Sequence, residues 1–129
     1  MADFNGDGKE DIAAIFPGYT FVFVYYGNGD GTFNLAIELD AGQYIGSLAV
    51  GDFNSDGKPD LVAGLEMSHQ ACIFFNLGQK QFAASYFASG ADTDTLIATD
   101  LNRDGKPDVA VTNFIYSYEP ANADVIFHK

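Results

Sequence analysis

A nine-residue acidic phrase, Asp-x-Asn-x-Asp-Gly-Lys-x-Asp, occurs three times in this chain of 129 residues, at Asp3–Asp11, Asp52–Asp60 and Asp100–Asp108. The first aspartates of the phrases lie 49 and then 48 positions apart. The likeness continues beyond the phrase. Phe33 and Phe82 each stand 30 residues after the first Asp of their repeat, and each follows a glycine-bearing turn, Gly27–Gly31 in one and Asn76–Gly78 in the other. A fixed period of this size means copies of one supersecondary unit, which buries its apolar surface only against its neighbours. The repeats run over approximately 1–42, 43–90 and 91–129 and form one segment, not separate domains.

Apolar runs bracket each phrase. Ser47–Val50 and Leu96–Thr99 precede it, and Ile12–Phe16, Leu61–Leu65 and Val109–Thr112 follow it. These runs are almost continuously apolar with small residues interleaved, the pattern of strands buried on both faces. A third strand is expected at Thr20–Tyr26, Ala71–Phe75 and Val125–Phe127, and a fourth, after the turn, at Phe33–Leu39 and Phe82–Phe87. Four short strands per unit predict an all-β fold of β-propeller blades, each of four antiparallel strands. No stretch keeps a 3.6-residue period, so helix should be scarce. One blade, Ser47–Phe87, is complete and two incomplete ones flank it. Propellers close with about four to eight blades. The expectation is therefore a part of a longer propeller chain, or copies whose terminal blades pack face to face into a ring or filament.

Within the phrase, oxygen side chains fall at positions 1, 3, 5 and 9, and position 7 is a lysine that can turn only its backbone carbonyl inward while the ammonium points to solvent. Gly8, Gly57 and Gly105 at position 6 permit the sharp turn that wraps an ion. Hard oxygens, three of them carboxylates, suit Ca²⁺. Zn²⁺ or copper would call for His or Cys, absent from the phrases. Asp, Asn and Gly also simply mark turns, but three copies in one register argue against turn chemistry alone. A helical EF-hand needs Glu at position 12; here Ala14, Ala63 and Val111 stand there. The nine loop carboxylates should repel one another without cations, and three Ca²⁺ per chain would halve the formal charge of −12.

That charge also excludes partners. With 18 Asp and Glu against 6 Lys and Arg, the surface repels phosphate backbones, so nucleic acid is not expected. The longest apolar stretch, near Tyr19–Tyr26, is far short of the roughly 20 residues of a membrane helix, so no membrane insertion is expected. The 12 Phe and 7 Tyr argue for a packed core. Cys72 is alone and reads as a buried, inert thiol. No catalytic constellation is visible: His69 and His128 are isolated, and Asp92 and Asp94 lie in a turn-rich stretch between blades that reads as a solvated loop, so no enzyme activity is expected.

The Asp-Phe-Asn-x-Asp-Gly-Lys-x-Asp loops, with the Gly-Asn-Gly-Asp-Gly-Thr-Phe33 turn, resemble the FG-GAP/VCBS repeats of integrin α-subunit heads and many secreted bacterial proteins. The resemblance implies a propeller with Ca²⁺ in the loop between the first and second strand of each blade. It implies as ligands Asp3, Asn5, Asp7, the Lys9 carbonyl and Asp11; Asp52, Asn54, Asp56, the Lys58 carbonyl and Asp60; and Asp100, Asn102, Asp104, the Lys106 carbonyl and Asp108. The expected function is a non-enzymatic, calcium-stabilised module of a secreted or cell-surface protein, serving adhesion or self-assembly. Two alternatives are a glycan-binding propeller, using Tyr116 and Tyr118 on the Ile115–Pro120 insertion, and an accessory domain of a larger secreted enzyme.

Overall fold

The computed structural model describes residues 1–89, 93–113 and 123–126. Among them are ten strands and no helix. The first sheet holds β1 (Ile12–Ala14), β2 (Phe21–Gly27) and β3 (Phe33–Asp40) in that order. The central sheet is the complete unit, β4 (Ile45–Gly51), β5 (Asp60–Leu65), β6 (Gln70–Gly78) and β7 (Gln81–Ala88), side by side in chain order. The third holds β8 (Thr93–Thr99), β9 (Asp108–Asn113) and β10 (Ala123–Ile126). Every pairing is antiparallel. These are blade-type sheets, four strands in one and three in each flank; they do not close a ring.

Register supports the repeat. Gly51 pairs with Asp60, and Thr99 with Asp108. In the first blade an isolated bridge joins Ala2 to Asp11 at the same position, the end of a first strand. The strand after the first acidic loop is shorter than the expected Ile12–Phe16. Its ladder stops at Ala14, and the Pro17-Gly18 turn begins two residues on, with the Tyr19 N–H donating to the Phe16 carbonyl at 3.2 Å. The β6–β7 hairpin turns at Gln79 and Lys80, both with positive φ, the two-residue geometry that matches strand twist.

Alternation along the central strands sets the packing. Leu61, Ala63 and Leu65 of β5 and Cys72 and Phe74 of β6 join Val22, Val24 and Tyr26 of the first blade in one core. The intervening Val62, Ala71 and Ile73 join Leu96, Val109 and Val111 of the third blade in another. Leu61–Leu65 of β5 are all buried, as the unbroken apolar run predicts, and Asp60 at the head of the strand is buried with them. Each such Leu or Val contributes about 1.5–3 kcal/mol on burial. Gly64 permits the second contact: a Cβ there would lie 2.5 Å from Ser47 Oγ and Thr93 Cγ2. Cys72 is fully buried, and burial pushes its thiol up to about 11.

The flanking blades each bury one face. Phe4 and Phe53, at phrase position 2, are buried against the next blade, whereas Leu101 at the same position is 45% exposed, with Ile97 54% exposed beside it. On the first blade Phe16, Tyr19 and Phe23 form an edge-to-face cluster, with Phe16 44% and Tyr19 55% exposed.

Candidate functional site

Each acidic phrase forms the loop from the first to the second strand of its blade, and all three loops adopt the same conformation. Position 6 is left-handed, with φ of 83°, 82° and 86° at Gly8, Gly57 and Gly105. A Cβ at these glycines would meet nothing, so backbone angle and not space demands glycine there. Position 4 is left-handed as well, at Gly6 and also at Ser55 and Arg103 with φ of 60° and 64°. No residue type announces this turn, since two of the three residues carry side chains.

Positions 1, 3 and 5 organise the loop through side chain-to-backbone bonds. Asp3 accepts from the N–H groups of Gly6, Asp7 and Gly8 at 2.7, 3.1 and 2.7 Å. Asp52 accepts from Asp56 and Gly57, and Asp100 from Arg103, Asp104 and Gly105. The position 3 amides Asn5, Asn54 and Asn102 accept from the position 5 N–H at 2.8–3.0 Å. Asp7, Asp56 and Asp104 accept from the position 7 N–H at 2.9 Å. Each loop is thus a run of Asx-type turns.

Two features differ from the sequence expectation. The position 7 ammonium does not simply point to solvent. Lys58 Nζ folds back to 2.8 Å from Asp56 Oδ2, and Lys9 Nζ lies 3.9 Å from Asp7 Oδ2. The Lys58 ammonium, with the Lys58 N–H, holds the Asp56 carboxyl below its usual value. Secondly, position 9 does not resemble the other carboxylates. Asp11, Asp60 and Asp108 are completely buried. Asp11 accepts from Phe4 N–H at 2.8 Å and from Gly27 N–H, at the end of β2, at 2.9 Å. Asp60 repeats this with Phe53 at 2.9 Å and Asn76, near the end of β6, at 2.8 Å. Burial pushes the Asp60 carboxyl up, opposed by those two N–H groups and reinforced by Asp56 and Asp52. Asp108 Oδ2 accepts from Leu101 at 2.9 Å and Asn102 at 3.3 Å; its Oδ1 is buried without a partner among the described residues.

Among the described residues no three His, Cys, Asp or Glu side chains stand close enough together to hold a metal ion. The donors nevertheless fit Ca²⁺ by chemistry: all are hard oxygens on a loop with left-handed turns at two positions. A carboxylate oxygen that accepts one N–H retains a further lone pair. Asp92, Tyr116, Tyr118 and His128 lie outside the described residues. Asp94 lies in β8. His69 takes the left-handed conformation at the β5–β6 turn, and its carbonyl accepts from the Ser89 N–H.

One antiparallel four-strand sheet flanked by two three-strand ones, with an acidic loop repeated at the same place in each, defines the class, a propeller-blade repeat protein. The FG-GAP-like repeat family model matches residues 3–63, so this stretch, which holds the first two acidic loops, is FG-GAP-like repeat sequence. The chain is 30% identical over 145 aligned residues to phosphatidylinositol-glycan-specific phospholipase D of Bos taurus, an alignment covering 85% of this chain and 17% of that protein. The Homo sapiens phospholipase D of the same name is 29% identical with the same coverage. Cartilage acidic protein 1 of Homo sapiens is 29% identical over 113 residues, 78% of this chain and 16% of the relative. The chain therefore spans about a sixth of the length of these curated relatives. One of the two names denotes an enzyme and the other does not, so the shared repeat is not tied to one chemistry.

Proposed function

We propose that the chain is a calcium-binding segment of an extracellular β-propeller, with up to three structural Ca²⁺ ions and no catalytic role of its own. The observation that carries this reading is the same loop conformation in three copies, each with Asp, Asn and Asp side chains and a lysine at the same loop positions. Asp3, Asn5, Asp7 and the Lys9 carbonyl would hold one ion, with the equivalent sets at 52–58 and 100–106, and the position 9 carboxylate would back each site. Ca²⁺ supplies the positive charge that gathers these donors. It binds the folded chain alone and stabilises it by mass action. Extracellular calcium is abundant enough for modest sites.

The exposed faces at Phe16 and Tyr19 and at Ile97 and Leu101 are of the kind the central blade buries. A further blade, from the same propeller or a second copy, is the occupant that matches them, which makes the segment a unit of assembly. The relatives named as phospholipase D favour a second reading beside this one, in which such a segment is the accessory part of a larger enzyme.

Calorimetric titration of the chelated protein with Ca²⁺, paired with thermal scans in Ca²⁺, Mg²⁺ and EDTA, tests the metal assignment. The expected outcome is about three ions per chain and a melting temperature lowered in EDTA by well over the few degrees that about 1 kcal/mol represents. Mg²⁺ should restore less, since it demands near-octahedral geometry. No binding heat and a scan unmoved by chelator would overturn it.

A further inference from the structure

Asn76 touches two acidic loops at once. It is 1% exposed. Its side-chain amide donates to the Phe4 carbonyl of the first loop at 2.8 Å, 72 residues away, and to the Pro59 carbonyl of the second loop at 3.2 Å. Its backbone N–H donates to Asp60 Oδ1 at 2.8 Å, and its Oδ1 accepts from Gly78 N–H at 2.9 Å. The amide orientation follows from these partners. Exchanging oxygen and nitrogen would set an acceptor against two carbonyls and a donor against an N–H.

The first loop is gripped at Phe4. The Phe4 N–H is held by Asp11 within its own blade, its carbonyl by Asn76 of the next blade, and its ring lies 6.4 Å from that of Phe82. A cavity of about 420 Å³ lies between the loops, lined by Asp3 and Asn5 on one side and Lys58 and Pro59 on the other, with Asn76 among its walls. In the first repeat Gly27 takes the position of Asn76, and a Cβ there would collide with the Glu10 carbonyl. The link therefore belongs to the central blade and is not a property of every repeat.

We propose that Asn76 is a strap that couples the first acidic loop to the second, so that order in either favours order in the other. Three of its four hydrogen bonds end on those loops, and a buried amide deprived of either carbonyl would carry an unsatisfied donor. Loop 2 fixes Asn76 through Asp60 and Pro59, and Asn76 in turn fixes Phe4. With cations bound, the two sites would therefore fill with positive coupling. The statement about cations rests on the calcium reading above; the strap itself does not.

Hydrogen exchange of the full chain in EDTA separates the two. Asn76→Ala should accelerate exchange of the Phe4 amide about tenfold and leave the Leu101 amide of the third loop unchanged. Asn76→Asp, which keeps the acceptor for Gly78 but faces both carbonyls with oxygen, should act in the same direction. In the unaltered chain, exchange in low denaturant should show Phe4 and Asn76 opening together and Leu101 opening separately. Equal acceleration at Phe4 and Leu101, no acceleration at Phe4, or separate opening of Phe4 and Asn76 would overturn the strap. With Ca²⁺ present, Asp56→Ala should lower protection of Phe4 when Asn76 is intact and not beside Asn76→Asp. If calorimetry shows no calcium binding, that reading fails, while the exchange in EDTA still decides the strap.

Discussion

Each acidic loop carries two kinds of aspartate. Those at positions 1 and 5 sit at the exposed rim and accept N–H groups from within their own loop, as Asp52 does from Asp56 and Gly57. The one at position 9 is a buried root, which in the first two loops joins the start of the loop to the end of the third strand, as Asp60 joins Phe53 to Asn76. In the sequence they are the same residue in one repeating phrase. The difference teaches that rim and root answer to different partners. The rim has water and, on the proposed function, a cation. The root has only the protein, and the blade needs it whether or not metal is bound.

The largest effect that would break this comparison is on stability. Asp60→Ala leaves two buried N–H groups unpaired and should cost roughly 2–5 kcal/mol with or without Ca²⁺, read from urea unfolding. Asp56→Ala removes an exposed carboxylate. It should leave stability in EDTA little changed and remove about one ion from the calorimetric count. Equal losses for both variants in EDTA would erase the distinction.

Protonation sharpens the same comparison in the chelated protein. Burial raises Asp60, so its contribution is fully present below the unfolded value and is lost as pH rises through the raised folded one. The Lys58 bond lowers Asp56, whose contribution is present above the unfolded value and is lost as pH falls through its folded one. Carboxyl carbon shifts followed through an acid titration in EDTA should place the Asp60 midpoint above that of Asp56. The reverse order would mean that the root is no harder to ionise than the rim.

The smallest effect concerns the backbone between them. Ser55 and Arg103 hold the left-handed conformation that Gly6 holds in the first loop. Relief of about 1–2 kcal/mol of strain is offset by the freedom glycine adds to the unfolded chain. Ser55→Gly and Arg103→Gly should each gain about 0.5 kcal/mol of stability, read as a higher denaturant midpoint; a loss would show that the side chains at this position do more than tolerate the turn.

The parts of this molecule visible in the sequence are those written locally. The three phrases, the strands on either side and the buried-on-both-faces character of Leu61–Leu65 follow from neighbours within a few residues, so spacing and pattern suffice. The loop conformation was legible only at position 6, where glycine marks it; at position 4 Ser55 and Arg103 hide the same turn. The root could not be read, because the second partner of Asp11 and of Asp60 lies 16 residues along the chain and is a backbone N–H, which no residue type announces. Asn76 looks in the sequence like part of a hairpin turn for the same reason, its partner at Phe4 being 72 residues away. The Lys58 ammonium went unread because charge type alone does not say which way a long side chain folds.

One cysteine in the chain, fully enclosed at Cys72 with its thiol pushed up to about 11, gives the protein a built-in clock. At neutral pH the enclosed thiol is both shielded and protonated, hence unreactive toward alkylating reagents. Modification must wait until β6 parts from the first blade, which Cys72 faces. When reclosing is slower than alkylation, the rate of labelling becomes the rate at which that seam opens, read at a residue the chain already carries.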